Sequence, residues 1–325
     1  MEEKPRVLIT SKIVVPNDAA DRRLREEGFE TIHKTMTGKR TEEELIGLLR
    51  GVVGVIASLD PFTDRVLAAS PQLRAISRTG VGIDAIDLRA ATARGIIVAN
   101  SAGANRHAVA DFALGLILCC ARKLPENLAE VRRGGWARHE GVDLPGKTLG
   151  IVGLGAIGKE VAQRALGFRM RVLANDLALD RPFADKHGIS YVSLEDLLRQ
   201  SDFVSLHLFL DAASRHLIND ERLALMKPTA FLINTARGGV VDPEALCRAL
   251  AEKRIAGAAL DVVEEEPLPA DSPLRGFANL LLTPHIAGAT AESGQRSAAM
   301  AAENLIRALR GERPEGIMNP EVLAP

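Results

Sequence analysis

The sequence predicts an α/β protein with two parallel sheets, and this prediction rests on three observations. Short β-branched runs alternate with helical segments along almost the whole 325-residue chain. A glycine-rich strand–turn–helix pattern, Thr148 to Gly158, lies in the middle of the chain. A chain of this length exceeds a usual single core, so two domains are expected. Right-handed βαβ connections would then give two sheets, each with helices on both faces.

The first hundred residues are predicted to form a small βα unit of their own. Strands are expected at 7–10, 54–58, 73–78 and 96–100, with helices at 19–27, 42–50, 63–69 and 87–94. A long apolar helix is expected at 106–122. Further strands are expected at 147–152, 171–176, around 191, and at 203–208, 230–234, 258–262 and 280–283, before an amphipathic helix at 291–309.

Charge and cysteine content argue against several classes of protein. The 41 basic and 42 acidic residues leave a net charge of −1, and no basic block suggests a nucleic acid or membrane partner. No apolar run reaches transmembrane length, and the N-terminus lacks the apolar region of a signal peptide. Cys119, Cys120 and Cys247 have no metal-binding spacing, so we expect no metal site. These features favour an enzyme of the reducing cytoplasm.

The glycine-rich pattern predicts a dinucleotide site. Gly153 permits the tight turn, Gly155 allows a pyrophosphate to approach the backbone, and Gly158 allows close packing of helix on strand. Asp176 ends the next strand, at about the spacing from which a carboxylate binds an adenosine ribose. It should favour NAD over NADP, because a 2′-phosphate would meet a negative charge. We assign to this site Gly153, Gly155, Ala156, Ile157, Gly158 and Asp176.

The position of this pattern predicts how the domains are connected. Residues 103–289 would form the Rossmann-like nucleotide domain, inserted in a discontinuous Rossmann-like substrate domain of residues 1–102 and 290–325. The chain would cross between the domains twice, near 100–103 and 285–290. Two crossings make a double hinge over a cleft, where a small substrate is expected.

Three further segments place chemical side chains at the ends of predicted strands. Arg237 precedes two glycines, which would clear space around a guanidinium able to bind a carboxylate. The acidic run 264–266 would by itself be interpreted as a solvated surface. His285 follows a buried-strand pattern and Pro284, and alone it would be interpreted as structural. Considered separately, the acidic run and His285 therefore have simple structural explanations. Arg237 favours carboxylate binding, and its alternative is a solvated loop arginine.

Taken together, the segments resemble the D-isomer-specific 2-hydroxyacid dehydrogenase family over nearly the whole chain. The family's Asn-x-Ala-Arg-Gly-Gly, Asp-Val-x-x-x-Glu-Pro and Pro-His-x-Gly/Ala motifs occur here in order. The resemblance implies that Arg237 binds substrate, that His285 is the general acid–base, and that Glu266 orients it. Histidine suits this role because its ordinary pKa lies near neutrality.

The resemblance also implies a cofactor, a substrate loop and a partner. NAD would be contacted by Thr235, Ala236 and Asp261 near its nicotinamide, and also by His207 and Gly288. The segment Ile76–Asp84 is similar to the family's carboxylate loop, so the substrate site would comprise Arg78, Val81, Gly82, Arg237 and His285. The apolar helix after Arg106 and the segment to Trp136 imply a homodimer.

The substrate itself stays open at this point. The surroundings of Arg78, Trp136 and Arg138 most resemble phosphoglycerate dehydrogenases, and the two arginines could bind a phosphate. However, residues 57–60 offer no cation, and Asp60 would repel a dianion. Glyoxylate or hydroxypyruvate reduction, or another sugar-acid substrate, is therefore an alternative. A non-enzymatic alternative is an NAD-sensing corepressor with the same fold. Phe209 also departs from the family, which usually has proline there.

Overall fold

The structure is a computed structural model that describes residues 4–36, 38 and 40–323. The chain divides into two compact units. The first contains Met1–Asn105 and Thr290–Pro325, and the second contains Arg106–Ala289. The first boundary therefore lies three residues later than the one predicted from the sequence.

The N-terminal part of the first unit is a parallel α/β layer. Its elements are β1 (Arg6–Ile9), α1 (Ala19–Glu26), β2 (Glu30–His33), α2 (Glu42–Leu48), β3 (Val52–Ala57), α3 (Asp64–Ala68), β4 (Ala75–Arg78), α4 (Leu88–Ala93) and β5 (Ile97–Asn100). The five strands form one sheet in the order β2-β1-β3-β4-β5, and every pairing is parallel. Strand β2 was not predicted, because its two β-branched residues, Thr31 and Ile32, lie between the polar Glu30 and His33 and give only a short signal.

The second unit is a larger parallel α/β layer. Its elements are α5 (Arg106–Ala121), α6 (Leu124–Arg132), β6 (Thr148–Val152), α7 (Ala156–Gly167), β7 (Arg171–Asn175), α8 (Arg181–His187), β8 (Ser190–Tyr191), α9 (Leu194–Gln200), β9 (Phe203–Leu206), α10 (Asp220–Leu225), β10 (Phe231–Asn234), α11 (Pro243–Ala251), β11 (Gly257–Leu260) and β12 (Leu280–Leu282). The seven strands lie in the order β12-β11-β10-β9-β6-β7-β8.

The chain then returns to the first unit with helix α12 (Ala291–Leu309), whose bounds agree with the prediction. Thr290 caps this helix by accepting a hydrogen bond from the Ser293 N–H. Short 3-10 helices occupy Gly238–Val240, Pro273–Gly276 and Pro320–Leu323. The prediction of an α/β protein with two parallel sheets is confirmed.

Helices cover both faces of each sheet, because successive strand residues point to opposite faces. In β1, Leu8 joins a buried cluster formed with α2, α3 and α4. Its neighbours Val7 and Ile9 join another buried cluster, formed with α1 and α12. The second unit is organised in the same way, with α9, α10 and α11 on one face and α5, α7 and α8 on the other.

Each sheet has one point at which the strand order reverses. In the second unit this point lies between β6 and β9, and in the first unit between β1 and β3. Ligands of open α/β sheets bind beyond the carboxyl ends of the strands at such points. In the part of the chain that the structure describes, no helix is both long and apolar enough to cross a membrane.

Candidate active site

The glycine-rich turn lies at the reversal point of the second unit. Gly153 has a φ of +96°, and a Cβ there would lie 2.5 Å from the carbonyl oxygen of His207. A Cβ on Gly158 would lie 2.1 Å from the Gly153 oxygen. By contrast, a Cβ on Gly155 would meet no atom within 4 Å, and α7 has no side-chain cap. The first turn of α7 is therefore open to an anion.

The predicted ribose-binding acid lies beside this turn. The Asp176 carboxylate accepts hydrogen bonds from the Leu154 N–H at 2.6 Å and the Ala178 N–H at 2.9 Å. These two bonds fix the side chain against the turn between Gly153 and Gly155. Ala156 is exposed and Ile157 is half-buried at the start of α7. All the residues that the sequence assigned to the pyrophosphate and ribose are therefore close together.

Two buried polar atoms indicate that a ligand fits at this edge of the sheet. His207 Nδ1 and Thr235 Oγ1 are buried without a hydrogen-bond partner among the residues that the structure describes. They follow the neighbouring strands β9 and β10. An unsatisfied buried polar group is costly unless a ligand or water completes it. The open glycine turn and these two atoms together fit a bound dinucleotide.

His207 is held in its neutral form. Its Nε2 lies 2.9 Å from Ser205 Oγ, and burial lowers the pKa of the ring from 6.5 to about 4. A neutral ring next to the glycine turn contributes no charge to the binding of the pyrophosphate. It can still offer one hydrogen-bonding atom, Nδ1, to a ligand.

His285 and Glu266 form a direct pair. His285 Nδ1 lies 2.8 Å from Glu266 Oε2, while Glu266 Oε1 accepts a hydrogen bond from the Val263 N–H at 3.2 Å. His285 has a φ of +55°, a left-handed conformation that is uncommon for a residue other than glycine. Such strain is often found at functional sites. With Nδ1 occupied by the carboxylate, Nε2 is the nitrogen that can exchange a proton with a ligand.

Asp261 supports the backbone around His285. Its side chain is 1% exposed, and its carboxylate accepts hydrogen bonds from Thr283 Oγ1 at 2.6 Å and from the N–H groups of Ile286 and Ala287 at 2.9 and 2.8 Å. Its carbonyl oxygen accepts from the His285 N–H at 2.9 Å. The sequence assigned Asp261 to the cofactor, and its role in holding this loop was not predicted. The loop also contains Gly288, which is half-buried.

Arg237 lies on a loop that packs against the segment leading to Glu266. The Arg237 carbonyl accepts a hydrogen bond from Asn234 Nδ2, and Arg237 Nη1 donates to the Ala236 carbonyl at 2.7 Å. A Cβ on Gly238 would lie 1.9 Å from the carbonyl carbon of Val263. This corrects one interpretation of the sequence: Gly238 is required by a close backbone contact, not by space around the guanidinium.

The acidic run is divided between two functions. Glu264 forms an ion pair with Arg215 and lies 3.2 Å from His216 Nε2. Glu266 pairs with His285. Both glutamates are exposed, as the sequence predicted, but each also has a partner that the sequence pattern did not indicate. Because Arg215 and His216 precede Glu264 by almost fifty positions, no local pattern revealed this contact.

In the first unit, the predicted carboxylate loop follows β4. The N–H groups of Gly80, Val81 and Gly82 donate to no atom in the described part of the chain. The guanidinium of Arg78 lies over Gly80, since a Cβ there would be 1.8 Å from Arg78 Nη1. Consecutive backbone N–H groups of this kind can bind an anion. Arg78, Val81 and Gly82 are thus brought together, in the first unit.

Asp60, which was expected to repel a dianion, carries a compensating cation. Arg40 Nε lies 2.9 Å from Asp60 Oδ1, and both side chains are buried. Thr10 also donates a hydrogen bond to Asp60. Residues 57–60 themselves contain no cation, as predicted, but Arg40 supplies one from a segment twenty residues earlier. The two opposite charges of the pair compensate each other.

The chain is similar to known proteins of one family. Residues 114–287 match the model of the "D-isomer specific 2-hydroxyacid dehydrogenase, NAD binding domain". A glyoxylate reductase of Korarchaeum cryptofilum is 43% identical over 98% of this chain and 97% of its own length. A D-3-phosphoglycerate dehydrogenase of Methanocaldococcus jannaschii is 41% identical over 86% of this chain but only 54% of its own length.

Solved structures give the same result. A glyoxylate reductase from Paecilomyes thermophila has a TM-score of 0.86 and 31% identity, covering 98% of this chain and 99% of its own. The glyoxylate reductases match along their full length, whereas the phosphoglycerate dehydrogenase extends well beyond the match. The sequence-based preference for a phosphoglycerate dehydrogenase-like activity therefore has less support than its alternative.

Proposed function

This chain belongs to the D-isomer-specific 2-hydroxyacid dehydrogenases, and we propose that it reduces a small, unphosphorylated 2-oxo acid of the glyoxylate class with NADH. As a member of this family it is an NAD-dependent oxidoreductase, which makes the corepressor alternative unnecessary. The structural observation that best supports this proposal is the hydrogen-bonded pair of His285 and Glu266. It supplies a fixed proton donor of the kind that carbonyl reduction needs.

NAD would be held by the first turn of α7, by Asp176, and by the polar atoms of His207 and Thr235. When bound in its reduced form, it supplies the hydride. His285 Nε2–H donates the proton that the developing alkoxide requires, and accepts it back in the oxidative direction. The Glu266 carboxylate accepts the hydrogen bond from Nδ1–H, so the ring is oriented with Nε2 toward the ligand.

Each unit contains donors that suit the carboxylate of an acid. A planar guanidinium donates two parallel hydrogen bonds, so Arg237 can bind a carboxylate and polarise the adjacent carbonyl. In the first unit, the N–H groups of Gly80, Val81 and Gly82 have no acceptor among the described residues, and they suit a carboxylate group as well. Glyoxylate presents only a carboxylate and a carbonyl, and it needs no further cation.

A phosphorylated acid is the second candidate, favoured by the 41% identity to the D-3-phosphoglycerate dehydrogenase. Its dianion would need additional positive charge, for which the sequence offers Arg78 and Arg138. Arg138 is exposed on the segment after α6. Arg40, the cation that the structure adds near Asp60, is already neutralised by that carboxylate.

The test is NADH oxidation with glyoxylate, hydroxypyruvate and phosphohydroxypyruvate, each over a range of concentrations. We expect kcat/KM for glyoxylate or hydroxypyruvate to exceed that for phosphohydroxypyruvate by about tenfold or more, a difference of about 1.4 kcal/mol. A preference for the phosphorylated acid would overturn the proposed substrate. In that case, replacing Arg78 and Arg138 with alanine should raise KM for phosphohydroxypyruvate far more than for glyoxylate.

We also propose that the chain forms a homodimer through α6 and the segment after it. Leu124, Leu128 and Val131 are exposed on α6, and Trp136 and Val142 follow. Trp136 is 81% exposed, and clustered exposed apolar residues of this size are typical of interfaces. Light scattering should give a dimer that Leu128→Asp dissociates. Leu177→Asp, which changes another exposed leucine outside this cluster, is the control.

A further inference from the structure

The loop after β4 is bonded by Asn100, which ends the neighbouring strand β5, and by Ser101, which follows it. Strands β4 and β5 pair in parallel, with Arg78 opposite Asn100. We propose that Asn100 and Ser101 are positioning residues, which orient the N–H groups of Gly80, Val81 and Gly82 toward the substrate carboxylate. The inference rests on the proposed function of this loop as the carboxylate site.

Three carbonyl groups of the loop are bound by these two residues. Asn100 Nδ2 donates to the Val81 carbonyl at 2.6 Å, and the Ser101 N–H donates to the Gly80 carbonyl at 3.1 Å. The Ser101 hydroxyl donates to the Arg78 carbonyl at 3.0 Å. The carbonyl oxygens of the loop are thereby turned into the protein.

This arrangement determines what the loop offers to a ligand. An exposed carbonyl oxygen carries partial negative charge and would repel a carboxylate, whereas an exposed N–H group attracts it. In a trans peptide the C=O and the N–H point in opposite directions, so the bound carbonyls of Gly80 and Val81 direct the N–H groups of Val81 and Gly82 away from Asn100 and Ser101. These N–H groups and that of Gly80 have no partner among the described residues. The free donors are consecutive along the chain. By binding the carbonyl oxygens, Asn100 and Ser101 therefore make the electrostatic potential at the ligand-facing side of the loop positive.

The two positioning residues are themselves fixed by other parts of the first unit. Asn100 is 3% exposed; its Oδ1 accepts from the Ala102 N–H at 3.1 Å, and its carbonyl accepts from Asn304 Nδ2 at 3.0 Å. The Ser101 hydroxyl is also within 3.2 Å of the Ser297 carbonyl. Asn304 and Ser297 both belong to α12. The helix that returns to this unit late in the sequence thus supports the loop.

A matched control is another buried asparagine that bonds the backbone of the same strand. Asn319 is fully buried; its Oδ1 accepts from the Val98 N–H at 2.8 Å, and its Nδ2 donates to the Ile96 carbonyl at 2.9 Å. Its side chain thus bonds the backbone of β5 much as Asn100 bonds the loop, but it has no bond to residues 78–82. Asn319→Ala should cost stability without changing the loop.

The test compares Asn100→Ala and Asn319→Ala in the full-length protein. We expect Asn100→Ala to raise KM for glyoxylate roughly tenfold or more, as when a hydrogen bond to a charged group is lost. Its kcat and its KM for NADH should stay close to the wild-type values. Asn319→Ala should lower the melting temperature and leave KM for glyoxylate unchanged. If both variants raise KM equally, or neither does, the positioning role is overturned.

A binding measurement separates this inference from the proposed substrate. Oxalate, titrated into ¹⁵N-labelled protein, should shift the backbone amide resonances of Gly80 and Gly82 in the wild type and in Asn319→Ala. The shifts should be lost or much weakened in Asn100→Ala. If the wild type reduces no 2-oxo acid but shows these shifts, the proposed function fails and the inference stands. If the wild-type resonances do not respond to oxalate, the inference fails even where glyoxylate is reduced.

Discussion

His285 Nδ1 and Glu266 Oε2 lie 2.8 Å apart in a pair that is open to solvent, with side chains 53% and 38% exposed. Burial therefore does not hold the imidazole in place. Its orientation comes from the carboxylate and from the Asp261 bonds that fix the surrounding backbone. An exposed, oriented ring can exchange protons with solvent between turnovers and still present Nε2 to a ligand.

Replacing His285 tests the proton donor. His285→Ala should lower kcat by roughly 10²- to 10⁴-fold, the usual contribution of general acid–base catalysis, and leave NADH affinity nearly intact. Stopped-flow hydride transfer and fluorescence titration of NADH measure the two quantities. His216→Ala, which removes the ring paired with Glu264, is the control and should retain most activity. Near-full turnover in His285→Ala would remove this residue from the mechanism.

Replacing Arg237 tests the geometry of substrate binding. Arg237→Lys keeps the charge but loses the two-pronged donor, so kcat/KM for the preferred 2-oxo acid should fall by about tenfold or more. Arg254→Lys changes an arginine of the same unit that pairs with Asp220, and should have little effect. A fall in kcat/KM of less than about threefold would show that the Arg237 guanidinium does not bind the substrate through two hydrogen bonds. A tenfold fall corresponds to about 1.4 kcal/mol.

Replacing Asp176 tests cofactor selection. Asp176→Ala should weaken NADH binding and narrow the gap to NADPH, because it removes both a ribose acceptor and a charge that repels a 2′-phosphate. Dissociation constants for the two cofactors measure this change. Asp180→Ala, which removes the nearby helix cap that pairs with Lys159, is the control. A wild type that already prefers NADPH would contradict the assignment.

The lowered pKa of His207 predicts that the folded protein becomes less stable toward unfolding in mild acid. Its folded pKa of about 4 lies below the unfolded value of 6.5, so between these values the unfolded chain binds a proton that the folded chain excludes. The free energy of unfolding should therefore fall as pH drops from 6.5 to 4, by at most about 3 kcal/mol from this residue. Urea unfolding of His207→Gln should show a smaller fall over the same range. Parallel curves for the two proteins would argue against a neutral buried ring.

The sequence was most informative where a pattern is local. Period-2 and period-3.6 patterns located most strands within a few residues and α12 without error. Strand β2 was missed, because Glu30–His33 is largely polar. Helix α6 was also missed: it lies between the helix predicted at 106–122 and the strand predicted at 147–152, where no element was assigned. The placement of Arg237, Glu266 and His285 at strand ends also followed from local patterns.

What the sequence by itself determined was the order of the elements, the glycine turn and the chemical side chains that follow the strands. Only the tertiary structure decided that Arg40 neutralises Asp60, that Gly238 packs on Val263, and that Asn100 binds the Val81 carbonyl. Each of these contacts joins segments about twenty residues apart or more. Such pairs depend on how the sheets and helices pack, and packing is a property of the whole chain that no local window contains.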